Sequence, residues 1–174
     1  NASSSSAVFM SNATNTNNRK ETESITITDS QISATDEVLV LELGGTTGAW
    51  TFWTTNYTST NGYLTSAASG SNNHCKVTTP AVACSYFTIS FTDGAAVITS
   101  TGRNERNLLR YNSGSNCFAC YTSGQQPVYL YKLVDAGAAD KPATPTLTAS
   151  QTFETETFTV EISPVDGATI HYTL

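Results

Sequence analysis

The chain has 174 residues, only 13% of them charged, with a formal net charge of −6 and a pI near 4.7. That length holds one domain of ordinary size and part of a second, and an acidic balance without a basic stripe excludes nucleic acid as the natural partner. No apolar run approaches the roughly 20 residues that cross a bilayer as a helix, and the polar start at Asn1 carries no signal-peptide pattern.

With so few charges, the polar surface comes from Thr, Ser and Asn, which suit strands and turns better than helices. Alternating apolar positions and turn punctuation predict strands at 8–11, 24–28, 38–42 and 50–54, and then at 63–66, 74–77, 86–91, 96–100, 108–111, 118–121 and 128–133. The turns between them include Leu43-Gly44-Gly45, Asn61-Gly62 and Asp93-Gly94. No window carries a sustained helical stripe, so the fold class is all-β.

Ser-Gly-Ser-Asn occurs twice, at 69–72 and 113–116, an internal repeat with an offset of 44 residues from Ser69 to Ser113. The offset lays Tyr63-Leu64 on Asn107-Leu108 and Cys75-Lys76-Val77 on Ala119-Cys120-Tyr121. Three units of four short strands then predict a β-trefoil-like domain over residues 1–133 whose first strand falls before Asn1. A β-sandwich is the alternative, since many short strands are equally its signature, but it gives no reason for the repeated tetrapeptide.

Residues 134–145, rich in Ala and Gly with Pro142 and Pro145, read as a semi-stiff linker. Beyond it, 146–174 contains strands expected at 158–162 and 169–173 around a Pro164-Val165-Asp166-Gly167 turn. Two strands alone are marginal in water. The segment is therefore expected to continue past Leu174 or to borrow strands from a neighbour, which makes strand-mediated assembly through it an expected partnership.

The run Gly167-Ala168-Thr169-Ile170-His171-Tyr172-Thr173, after Phe158-Thr159-Val160-Glu161-Ile162, resembles the first half of the immunoglobulin-like domain at the C-terminus of chitobiase and β-hexosaminidase-type secreted proteins. The resemblance implies a partial immunoglobulin-like β-sandwich over 146–174, an accessory module in a modular extracellular protein. The larger part is similar to an uncharacterised module of secreted gut Bacteroidetes multidomain proteins, on Asn17-Asn18-Arg19, Gly62-Tyr63-Leu64, Asn107 to Ser113, Cys120 to Gln126 and Val128 to Lys132. That resemblance implies no catalytic or ligand residue position by position. The chain departs from its pattern in having Cys75, Cys84 and Cys117 beside Cys120.

Four cysteines in a secreted β-domain point to disulfides, and a Cys75–Cys84 bond would close a short loop. Cys117 and Cys120 cannot bridge along one extended strand, where three steps separate their Cα atoms by about 10 Å. Zinc is the less favoured reading, because the spacing of Cys75 and Cys84 is unlike a zinc knuckle, and no metal or cofactor is expected. His74 and His171 lie in different modules without a nucleophile setting. Acidic pairs such as Asp36-Glu37 sit in turns, where solvated charge is the default, so no glycosidase carboxylate pair is recognisable.

Trp50, Trp53, Tyr57 and Tyr63, close to turn residues rich in Asn and Ser, have the chemistry of a sugar-binding shelf: rings to stack on pyranose C–H faces and amides to fix hydroxyls. Asn72 and Asn116, in the repeated tetrapeptides, join them as candidate carbohydrate-binding residues. The competing reading makes these aromatics ordinary alternation between core and surface, and the tetrapeptides plain turns with Gly supplying positive φ. The Gln-x-Trp signature of ricin-type lectins is absent.

The expectation is therefore a non-enzymatic, secreted or cell-surface structural or interaction module of a larger protein, with glycans or another surface protein as partners. A carbohydrate-binding accessory domain of a secreted hydrolase is its alternative.

Overall fold

Antiparallel hairpins organise the molecule, each closed where the sequence supplies a residue that tolerates positive φ. The computed structural model describes residues 5–14 and 16–134, and the chain divides into two units, Asn1–Val134 and Asp135–Leu174. The expected linker beyond Val134, the strands at 158–162 and 169–173 and His171 lie outside the described residues.

The described strands are β1 (Ser6–Ala7), β2 (Arg19–Lys20), β3 (Ile25–Thr26), β4 (Leu41–Thr46), β5 (Ala49–Thr54), β6 (Tyr63–Thr65), β7 (Lys76–Thr78), β8 (Phe87–Thr92), β9 (Ala95–Ser100), β10 (Leu108–Asn112) and β11 (Cys117–Tyr121). A single 3-10 turn, Ala83–Ser85, is the only helical element among the described residues. Nine strands form one nearly closed sheet in the order β2-β11-β10-β9-β8-β5-β6-β7, with β4 paired to β5, while β1 and β3 pair separately. The described part of the chain is all-β.

Two stretches of the chain repeat the same pairing. Strand β5 meets β8 at Trp50 and Phe87 and meets β6 at Trp53 and Tyr63. Strand β9 makes the same two encounters three residues apart, Ala96 with Val128 and Thr99 with Leu108. The hairpins leading into them also match, since Thr46 faces Ala49 and Thr92 faces Ala95. Followed through these registers, Phe52 corresponds to Ile98, Leu64 to Leu109, Cys75 to Phe118 and Phe87 to Val128. All eight belong to one buried core, so the repeat preserves which positions are buried while changing the side chains that fill them.

This register corrects the 44-residue offset by one place in the hairpin. Leu64 is equivalent to Leu109, not Leu108: both are buried, whereas Leu108 is half-buried. The tetrapeptides misled because their surroundings differ. Residues 113–116 are the whole turn between β10 and β11, whereas 69–72 sit inside the longer connection from β6 to β7. Gly70 takes φ +79°, but in the second copy Asn116 (φ 51°) and not Gly114 occupies the left-handed region.

The first forty residues follow another register. Met10 faces Glu21 and Ser11 faces Val38, with Thr22 N–H bonded to the Phe9 carbonyl on one edge and Leu39 N–H to the Met10 carbonyl on the other. Side-chain amides hold the irregular stretch that follows: Asn56 accepts from Val40 N–H and donates to the Val38 carbonyl, each at 2.8 Å.

Arg19, fully buried, ties this segment to the rest. Its Nε donates to the Cys75 carbonyl at 3.0 Å and its guanidinium lies 5.0 Å from the centre of the Tyr57 ring. Asn17 accepts from Cys75 N–H, and Arg19 and Lys20 pair with Phe118 and Cys117 of β11. One short polar segment thus joins both repeated stretches.

All four cysteines are free, buried thiols in the structure, in place of the expected disulfides. Cys117 and Cys120 belong to a continuous strand, which holds them apart as anticipated. Cys84 packs against Gly102, where an added Cβ would come within 2.7 Å of its sulfur, while Cys75 is engaged by Asn17 and Arg19.

Burial pushes the Cys75 thiol up to about 11, against the pull of the Arg19 guanidinium, and the Cys120 thiol well above its ordinary range, with Cys75 adding to the effect. Tyr111 is pushed up to about 12, first by desolvation and then by its hydrogen bond to Glu21. The unfolded chain therefore deprotonates these groups first, so stability is fully present below about pH 9 and falls as pH rises through about 11 to 12. Chemical denaturation at pH 8 and pH 11 should give a lower midpoint at the higher pH, and Tyr111→Phe should remove part of that difference. An unchanged midpoint would contradict the assignment.

Candidate functional site

Strand β4 runs straight through Gly44 and Gly45, which the sequence suggested as a turn; the chain reverses instead at Thr47 and Gly48, between Thr46 and Ala49. Glycine inside a strand weakens it and marks a close approach by a ligand or by other backbone. Gly45 has φ +86°, and an added Cβ there would lie 2.3 Å from the Ala49 carbonyl oxygen; one at Gly44 would lie 3.0 Å from Thr51 Oγ1.

Directly opposite residues project on the same face of neighbouring strands. Glu42 of β4 faces Trp53 of β5, and Trp53 faces Tyr63 of β6, so the three side chains form one row across three strands. The next row on that face is Gly44 beside Thr51. A tall row next to a bare one leaves a depression of about 400 Å³ lined by Glu42, Gly44, Gly45, Thr51, Trp53 and Tyr63. The Trp53 and Tyr63 rings meet edge to face, with centroids 4.8 Å apart and planes at 70°, a geometry that fixes their orientation. Both are half-buried, Glu42 is exposed, and its carboxylate has no ion-pair or hydrogen-bond partner among the described residues.

The repeat supplies an internal comparison. At the β8–β9 hairpin the corresponding positions are Thr88 for Glu42, Ser90 and Phe91 for the two glycines, Val97 for Thr51, Thr99 for Trp53 and Leu108 for Tyr63. That hairpin keeps the same register with a bulky, 63% exposed Phe91 at the place of Gly45. Its own turn, Asp93 and Gly94, has the two positive φ values that a type I′ connection requires. Gly44 and the aromatic wall are thus not demanded by the pairing, whereas Gly45 answers to its own left-handed backbone, which Phe91 does not share.

Of the residues singled out for sugar contact, Trp53 and Tyr63 come together here. Trp50 is on the opposite face of β5, facing Phe87. Tyr57 packs against the core beneath Arg19. Asn72 is exposed in the β6–β7 connection. Asn116 lines a second open cleft of about 540 Å³ with Lys20, Glu21, Glu23 and Ser115. Among the described residues that cleft has no aromatic wall, and Glu21 is already engaged by the Tyr111 hydroxyl. His74 is pushed down by burial and by the Lys76 ammonium.

No protein-family model matches this chain, no curated protein matches it in sequence, and no solved structure matches its fold.

Proposed function

We propose that the first unit is a non-catalytic interaction module of a secreted or cell-surface multidomain protein, with a β-trefoil-like arrangement, and that it contacts its partner through the Trp53 depression. The observation that carries this reading is the contrast between the two hairpins, of which one places Gly44 and two aromatics around a recess that the other does without. The matched registers of β5 and β9 support the trefoil arrangement. A single carboxylate among the described residues of the depression supports a binding role, because hydrolysis of a glycosidic bond requires two carboxyl groups facing each other across it. Glu21 and Glu23 do not supply that arrangement, being neighbours on one segment.

The carbohydrate-binding reading is favoured by one specific feature, the fixed aromatic wall beside a hydroxyl and a carboxylate. A pyranose with equatorial hydroxyls offers an apolar C–H face for Trp53 and polar edges for Thr51 and Glu42, and the volume suits one or two sugar rings. Display of the protein on an array of neutral oligosaccharides should give binding that Trp53→Ala reduces at least tenfold. Binding to a protein partner with array silence would keep the interaction module and remove the sugar. Binding of either kind that Trp53→Ala leaves intact would overturn the proposed surface.

A further inference from the structure

We infer that Glu42 is a specificity-determining residue that makes the Trp53 depression select neutral glycans and reject acidic ones, an inference that rests on the carbohydrate reading of the same site. Among the described residues, Glu42 is the only charged one lining the depression, and no described Lys or Arg contributes to it. Its cross-strand partner is Trp53 itself, so a sugar ring stacked on the indole is held beside the carboxylate. A uronic or sialic acid carboxylate placed there meets a like charge at close range without a cation to compensate. At close range two such charges repel, and several-fold more at the effective dielectric of a protein surface than in water.

The rest of the molecule acts in the same direction, because the net charge of −6 repels an acidic chain before it reaches the surface. The local and global contributions separate by position. Thr88 occupies the place of Glu42 in the second hairpin, which shows that the pairing does not need a carboxylate there. Neutral hydroxyls lose nothing by the charge, since a carboxylate accepts their hydrogen bonds more strongly than a neutral group does.

The test compares a neutral gluco-oligosaccharide with the same oligosaccharide oxidised at C6 to glucuronic acid, read as the ratio of their dissociation constants at low salt. The wild-type protein should bind the neutral probe about tenfold more tightly, and the ratio should shrink at 1 M salt, where the screening length falls to about 3 Å. Glu42→Gln should bring the ratio to within about threefold. Asp93→Asn, with the same change in net charge on the other hairpin, should leave it near the wild-type value. If the wild-type protein binds the neutral probe but the ratio is near one, or if Asp93→Asn lowers it as much as Glu42→Gln, the role of Glu42 is overturned while the carbohydrate reading stands. Absence of binding to both probes overturns the inference together with the reading beneath it.

Discussion

Replacing Arg19 by alanine is expected to lower the stability of the first unit by about 3–5 kcal/mol, a large part of what a domain this size possesses. The side chain is wholly enclosed, so truncation leaves a cavity that the surrounding strands fill only in part. It also removes the donor to the Cys75 carbonyl and the cation over Tyr57. The two losses act on different elements, because Cys75 precedes β7 and Tyr57 follows β5, while the backbone pairing of residue 19 with β11 is kept. Lysine is not a substitute: its compact ammonium lacks the planar fork that donates along one edge while stacking on a ring. Denaturant unfolding should therefore move the midpoint strongly for Arg19→Ala and Arg19→Lys, with little change in slope. A shift below about 1 kcal/mol for the alanine variant would mean that Arg19 is not the tie between the segments.

Gly62→Ala is expected to cost about 2–3 kcal/mol through crowding alone. Its φ is not positive, so the penalty does not come from an unfavourable backbone conformation. An added Cβ would lie 2.6 Å from the Thr78 carbonyl oxygen, 2.7 Å from Thr79 Oγ1 and 2.9 Å from Val77 Cγ1. The backbone of Gly62 has little room to withdraw, since its N–H donates to Thr54 Oγ1 at 3.0 Å and its carbonyl accepts from Thr54 N–H at 2.9 Å. Gly114→Ala is the control, having a normal φ and no neighbour closer than 3.4 Å; it should stay within about 0.5 kcal/mol of wild type. Equal effects at the two glycines would refute the crowding argument.

The β8–β9 hairpin was legible in the sequence because alternation and turn chemistry agree there. Phe87, Ile89 and Phe91 alternate along β8, Val97 and Ile98 follow Asp93-Gly94, and the structure has a hairpin with that turn. Strand β2 was not legible, since Asn18, Arg19 and Lys20 have the polarity of a loop and only tertiary burial makes them a strand. Gly44-Gly45 read as a turn for a similar reason: paired glycines usually punctuate a chain, and pairing along β5 overrode that preference.

That same misreading concealed the candidate site. Trp53 and Tyr63 were identifiable as rings with the right chemistry, but the row they form with Glu42 depends on cross-strand register, which sequence order does not reveal. The available signal was the glycine pair within an otherwise strand-like stretch, and the absence of its counterpart at Ser90-Phe91. Tyr57 was indistinguishable from the other aromatics because its partner, Arg19, is distant in sequence.

The most direct measurement of the central claim is a chemical-shift map of the protein titrated with a neutral gluco-oligosaccharide. The account predicts saturable shifts confined to the Gly44, Gly45 and Thr51 amides, the Trp53 indole N–H and Tyr63, with Asn72 and Asn116 unmoved. Shifts centred on the cleft around Lys20 and Asn116, or none at the Trp53 indole at saturating concentration, would contradict it.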